Sequence, residues 1–121
     1  MNYGSCTRVD SKVQPGVTFV ISKMSFGWRM DLIRRIRELS LKFDFLSAGE
    51  SSAEKLEAAL LSAEIDRLYV GWGLQELIGL EVDGVTATPE LLISAGPEEL
   101  FREAVDAVKR ECGLSEPERK N

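Results

Sequence analysis

The sequence contains no histidine among its 121 residues. Catalytic triads, general bases and metal sites that depend on an imidazole group are therefore excluded. It also lacks both common glycine-rich phosphate loops, the Walker-type loop that ends in Gly-Lys-Ser/Thr and the dinucleotide-binding GxGxxG. The segment Gly71-Trp72-Gly73 is not such a loop, because nothing before it has the pattern of a buried strand. We expect a protein that is not an enzyme and uses no cofactor.

Long apolar runs are also missing. No run approaches the roughly 18 residues that a membrane-spanning helix needs. The first twelve residues, MNYGSCTRVDSK, lack the apolar core of a signal peptide. We therefore expect a cytoplasmic protein.

Cysteine is scarce, and its spacing fits neither a metal site nor a redox motif. We expect Cys6 and Cys112 to be free thiols, although a bridge between them is also compatible with the sequence. A chain of this length can build a core without disulfides or metal, and a single domain over residues 1–121 is the expectation.

The net charge of −5 is unevenly distributed along the chain. Residues 1–37 hold seven basic and two acidic side chains, whereas residues 38–121 hold eight basic and eighteen acidic ones. Such asymmetry favours head-to-tail self-association or docking to a charged partner. The alternative is that both ends are simply solvated.

Residues 9–23 are predicted to form a β-hairpin with its turn at Pro15-Gly16, where proline presets φ and glycine accepts the positive φ that follows. Two strands alone are marginal in water. This hairpin must therefore lie against a helix, join another strand or pair with a neighbouring subunit.

Two long helices are predicted next, over residues 26–47 and 52–77. Ser25 caps the first, which carries an apolar stripe, and Gly49 is expected to end it in the left-handed conformation. Ser51 and Glu54 form a capping box for the second. The stripe of the first helix consists of Trp28, Leu32, Ile36, Leu39, Phe43 and Leu46. The apolar side of the second is assigned to Leu56, Leu60, Leu61, Ile65, Leu68 and Trp72.

The remaining sequence predicts a second hairpin and further helix. Asp83-Gly84 is a two-residue hairpin signal, and Thr88-Pro89-Glu90 has the residues that begin a helix. A final helix is predicted over residues 97–112, ended by Gly113, with a mobile polar tail over residues 113–121. The predicted fold is mainly α, with three to four helices and one or two small β-hairpins.

The candidate binding residues lie on the first helix and at the end of the second. The arginines beside Trp28 suit a protein-binding face, a nucleic-acid-binding face or a solvated surface. Leu32, Ile36, Leu39 and Phe43 are assigned either to a binding groove or to the core, and Trp72 either to a binding hot spot or to a core anchor. The arginines are Arg29, Arg34, Arg35 and Arg37. The carboxylates of the helices are expected on solvent faces, including Glu64, Asp66, Glu98, Glu99, Glu103 and Asp106.

The order of these pieces resembles phage and prophage tail assembly chaperones. The resemblance runs from about residue 9 to residue 121, on GVTFVISKMSFG, on WGL at the end of the second helix and on GLEVDGVTATPELLISAGPEELFREAVDAVK. It implies a small, mainly helical, non-enzymatic protein of the host bacterial cytoplasm. Such a protein binds the tape measure protein, keeps it soluble and brings tail tube protein to it. A weak homo-oligomer is a further expectation, whereas a nucleic-acid partner is disfavoured. The family supplies no catalytic or metal-binding residues and no fixed binding residues.

Two other functions stay open on the sequence. One is a virion structural subunit, such as a tail tube or head–tail connector protein, that uses its hairpins for β-addition. The other is a small nucleic-acid-binding regulator that uses the arginine face.

Many chaperones of this family are extended by ribosomal frameshifting near their end. If the codon of Arg119 ends in A, Lys120 and Asn121 allow the slippery heptamer A AAA AAC. The hypothesis is that a minority of the product continues past Lys120.

Overall fold

The computed structural model describes residues 1–113, so the predicted polar tail and the frameshift site beyond Gly113 lie outside the described residues. The fold is mainly α with two small antiparallel sheets, as predicted. The chain forms two compact units, one of residues 25–68 and one built from the segments on either side of it. The first is called the helical unit below, and the second the sheet unit.

The sheet unit contains a three-stranded antiparallel sheet in the order β1 (Cys6–Asp10), β2 (Thr18–Ser22) and β3 (Leu74–Ile78). The predicted first hairpin is confirmed, since β1 pairs with β2 around the Pro15-Gly16 turn. Its support comes from β3 on the far side of β2. Phe19 and Ile21 alternate with half-buried neighbours along β2 and are fully buried, as expected for a strand with one face in a core.

The second long helix ends earlier than predicted. It runs as α2 over Ser52–Gly73, and residues 74–77, predicted as helix, belong to strand β3. Gly73 stands at the switch, and a Cβ there would overlap the side chain of Val108. Leu74 and Leu77 are both buried in the sheet unit. Their spacing of three also fits a helix, which is why apolar periodicity extended the helix too far.

The second hairpin has the predicted turn. Asp83 and Gly84 adopt φ of 52° and 78°, the paired positive values of a type I′ turn. They join β4 (Glu81–Val82) to β5 (Val85–Thr86). Thr88 then caps α3 (Pro89–Ala95), because its hydroxyl accepts the Leu91 N–H at 3.1 Å.

The last helix, α4 (Glu98–Cys112), supplies much of the core of the sheet unit. It lies against β2 and α3 and ends at Gly113, which has φ of 72°. Acidic residues occupy its first turn and basic residues its last, which suits the helix dipole. Its buried side falls on one amphipathic stripe, made of Leu100, Ala104, Val105, Ala107, Val108 and Cys112.

The helical unit consists of α1 (Phe26–Ser47) and all of α2 up to Leu68. Ser25 caps α1 as predicted, accepting the Trp28 N–H at 3.1 Å. The Ser51 hydroxyl accepts the Glu54 N–H at 3.1 Å and donates to its carboxylate at 2.8 Å.

The prediction for Gly49 was wrong. Glycines with positive φ are Gly16, Gly79, Gly84 and Gly113, so Gly49 is not left-handed. A Cβ at Gly49 would overlap the Glu54 carboxylate. The glycine therefore leaves room for the capping residue of the next helix.

Candidate functional site

The helical unit buries few apolar side chains. Leu32 and Ala58 are its buried apolar residues, at 2% and 4% exposure. The other members of the predicted α1 stripe, Ile36, Leu39 and Phe43 among them, are half-buried. On α2, Leu61, Ile65 and Leu68 are also half-buried. For two helices of this length, the helical unit therefore has a small hydrophobic core.

Large apolar side chains are instead exposed on both helices. On α1, Leu41 and Phe45 lie four residues apart and hence on one face, with 61% and 76% exposure. On α2, Leu56 and Leu60 have the same spacing and are 69% and 62% exposed, although the sequence assigned them to the buried side. Further exposed apolar side chains on α1 are Phe26, Met30 and Ile33. Exposed apolar groups of this number are unusual on the surface of a monomer.

A cleft of about 500 Å³ lies between the end of α1 and the start of α2. It is lined by four apolar side chains, with one base and one acid among them. Because late residues of α1 share it with early residues of α2, the two helices are antiparallel, as their short connection requires. The lining consists of Leu41, Lys42, Phe45, Leu46, Glu57 and Leu61.

The arginines predicted as candidate binding residues lie on α1 but differ in exposure. Arg29 is half-buried, whereas Arg34, Arg35 and Arg37 are exposed. Arg34 forms an ion pair with Asp31 at 3.6 Å within the same helix. An exposed pair of this kind contributes little to stability. Trp28, beside them in sequence, is half-buried.

Trp72, the remaining candidate, belongs to the sheet unit and is half-buried near the end of α2. Tyr69 and Val70, just before it, are fully buried in that unit. Sequence reasoning grouped Trp72 with the α1 residues as a candidate partner site. The structure assigns it to a different unit.

The sequence assigned the carboxylates of Asp66 and Glu103 to solvent-exposed faces, but the structure buries the first and half-buries the second. Asp66 is 8% exposed. Glu103 is half-buried, and its carboxylate accepts hydrogen bonds from the Ser11 hydroxyl at 2.5 Å and from the Lys12 N–H at 2.7 Å. A weaker bond comes from the Val13 N–H at 3.4 Å. Glu103 therefore fastens the loop between β1 and β2 to α4.

The environment of Glu103 favours its ionised form. Burial acts to raise the pKa of this carboxyl, but the hydrogen bonds from Ser11, Lys12 and Val13 and the charge of Arg110 outweigh it. The pKa of Glu103 therefore lies below its ordinary value.

Nothing in residues 1–113 assembles a metal centre, since no three histidine, cysteine, aspartate or glutamate side chains converge there. Cys6 is exposed, Cys112 is buried, and they form no disulfide. No helix of the described chain is long and apolar enough to cross a membrane.

Comparison with protein-family models, curated proteins and solved structures gave no match. The exposed apolar face of the helical unit is therefore the strongest indication of function on the molecule itself.

Proposed function

We propose that this protein is a tail assembly chaperone that binds the tape measure protein and keeps it soluble. The observation that carries the proposal is the exposed apolar face of α1 and α2, with Phe45 76% and Leu56 69% exposed. A tape measure protein presents long apolar helical surface that aggregates when uncovered. An amphipathic helix laid in an apolar groove is an established mode of recognition, and the cleft between the two helices provides such a groove.

The charges around the groove suit this role. Lys42 and Glu57 lie at the cleft with its apolar side chains, and the exposed Arg34, Arg35 and Arg37 occupy the same helix. The apolar side chains supply affinity, and the charged rim keeps the covered complex soluble. Bringing tail tube protein to the complex belongs to the same proposal, as does the minor frameshifted product.

Co-expression with a tape measure protein tests the proposal. A long tape measure reading frame close to this gene is the partner to use. We expect more of that protein in the soluble fraction and its co-purification with this chain. The variant Phe45→Glu, which puts a charge into the groove, should abolish both effects.

The matched control is Val85→Lys, at a 60% exposed apolar position of the sheet unit. It should leave the solubilisation unchanged. No gain in soluble tape measure protein with the wild-type chain would refute the proposal.

A virion structural subunit is the second candidate. Within residues 1–113, strand β1 pairs with β2 alone, so its other side is a sheet edge on which a neighbouring subunit could add a strand. Electron microscopy of the purified chain separates the two functions. A connector or tube protein forms closed rings, whereas the chaperone forms none.

A further inference from the structure

We propose that, when no tape measure helix occupies it, the exposed face of the helical unit is covered by a second copy of this chain, as a two-fold dimer in which α1 of one copy packs on α2 of the other. This inference does not rest on the chaperone function. It rests on burial, charge and geometry within residues 25–68.

The burial of apolar side chains in α1 and α2 favours a second layer. Two antiparallel helices form one layer, and a stable domain packs at least two layers around a core. The apolar side chains of this layer point to more than one side, since Leu32 is 2% exposed while Leu41 is 61% exposed on the same helix. A second identical layer turns the pair into a four-helix bundle, the common arrangement for such helices.

The size of the exposed face suits a small interface between two copies. A helix of 22 residues is about 33 Å long and about 10 Å wide. The 22 residues of α1 and residues 52–68 of α2 therefore present one face of roughly 580 Å². A specific complex buries about 800 Å² on each partner, and about 600 Å² at the low end, so this face fits a weak dimer.

The charges of α1 and α2 select the arrangement of the two copies. Helix α1 holds five basic and three acidic side chains, a formal charge of +2. Residues 52–68 of α2 hold two basic and four acidic ones, a formal charge of −2. A two-fold axis parallel to the helices places α1 on α2 of the other copy and opposes unlike charges. An axis across the helices places α1 on α1 and opposes like charges.

The geometry identifies residues that face each other in this dimer. Leu41 and Leu61 line the same cleft and so lie at one level along the helices. A two-fold axis parallel to the helices leaves the height of each residue along the helices unchanged. Leu41 of one copy therefore lies against α2 of the other copy near Leu61. Leu60 is the exposed residue beside it, at 62%. Leu41 and Leu60 of opposite copies are therefore predicted to be in contact.

The test is sedimentation velocity of the full chain from about 1 to 300 µM, a range that covers micromolar to weaker dissociation constants. We expect a concentration-dependent dimer. The variants Leu41→Lys and Leu60→Glu should each raise the dissociation constant by about tenfold or more, since a charge is placed against an apolar group. Val85→Lys is the matched control and should dimerise like the wild type.

Mixing the two variants gives the decisive result. A mixture of Leu41→Lys and Leu60→Glu should recover the dimer as a heterodimer, because one contact then pairs lysine with glutamate and the other stays Leu–Leu. Circular dichroism confirms that each variant is folded. A wild-type chain that stays monomeric to the highest concentration overturns the proposal, including the case in which this face binds only a different protein. Variants that still dimerise alone, or that fail to recover on mixing, overturn the arrangement of α1 on α2.

Discussion

At the scale of single residues, the most informative contact is Glu103 with the loop after β1. Its carboxylate accepts hydrogen bonds from the Ser11 hydroxyl and from two backbone N–H groups, all 90 to 92 positions earlier in the chain. Hydrogen bonds to a charged acceptor are stronger than neutral ones. One side chain thus connects the beginning of the described chain to its last helix.

Replacing Glu103 by Gln should lower the free energy of unfolding by roughly 1–2 kcal/mol at pH 7, since the charged acceptor is lost. A carboxyl whose folded-state pKa is depressed stabilises the fold above its unfolded pKa of about 4.3. That stabilisation disappears as the pH falls through the folded pKa. The difference between wild type and Glu103→Gln should therefore shrink as the pH falls below about 4.

Urea unfolding at several pH values measures this difference. Asp106→Asn, at an exposed position of the same helix, is the control and should change stability little. A difference that is independent of pH, or an equal loss in Asp106→Asn, would contradict the role given to Glu103.

At the scale of elements, the end of α2 is set by packing as well as by helix propensity. Gly71 and Gly73 lie two residues apart near the end of the helix. A Cβ at Gly71 would meet nothing within 4 Å, whereas one at Gly73 would overlap Val108 of α4. The two glycines have opposite roles although their sequence contexts are alike.

Gly71→Ala should therefore stabilise the protein by about 0.5–1 kcal/mol through helix propensity. Gly73→Ala should destabilise it by roughly 1–3 kcal/mol through overpacking. Thermal and urea unfolding of the two variants measure the contrast. Gly73→Ala combined with Val108→Ala should recover part of the loss. If both single variants are stabilised, the close approach of α4 to Gly73 is not the reason for the glycine.

Elements whose signals are local could be predicted from the sequence. The bounds of α1 follow from the Ser25 cap and the apolar period, and the second turn from Asp83-Gly84. The switch from α2 to β3 could not be predicted, because the partner of Leu74 is Ile21, more than 50 positions away. The same holds for Glu103, whose partners lie at the other end of the chain.

The candidate site was predicted only in part. The α1 stripe selected the inward-facing residues, such as Leu32, which is buried. The exposed residues Leu41 and Phe45 have a helical spacing of their own, so a search for a second stripe would have found them. On α2, the half-buried Leu61 shares a stripe with Ile65, Leu68 and Trp72 at spacings of 4, 3 and 4. The exposed Leu60 lies off that stripe with Leu56, so the same search would have separated them.

At the scale of the whole molecule, the uneven charge gives a property that can be measured without any partner. If unlike charges of α1 and α2 oppose each other in the dimer, salt should weaken it. The screening length falls from about 10 Å at 0.1 M to about 3 Å at 1 M ionic strength. We expect the dissociation constant to rise roughly threefold over this range.

Sedimentation equilibrium in sodium chloride gives that value. A dimer that tightens with salt would indicate purely apolar contact and would argue against the selection of α1 on α2 by charge. Circular dichroism at both salt concentrations shows whether the fold itself is unchanged.

Because β2 pairs with β3, helices α1 and α2 together form one long connection between two adjacent strands. About 50 residues separate Ile21 of β2 from its partner Leu74 of β3. Closing so long a loop costs only about 2 kcal/mol more than closing a four-residue turn. Adding two helical turns to each helix would cost a further ~0.2 kcal/mol by the same logarithm. The length of these helices can therefore change in evolution at little cost in loop-closure entropy.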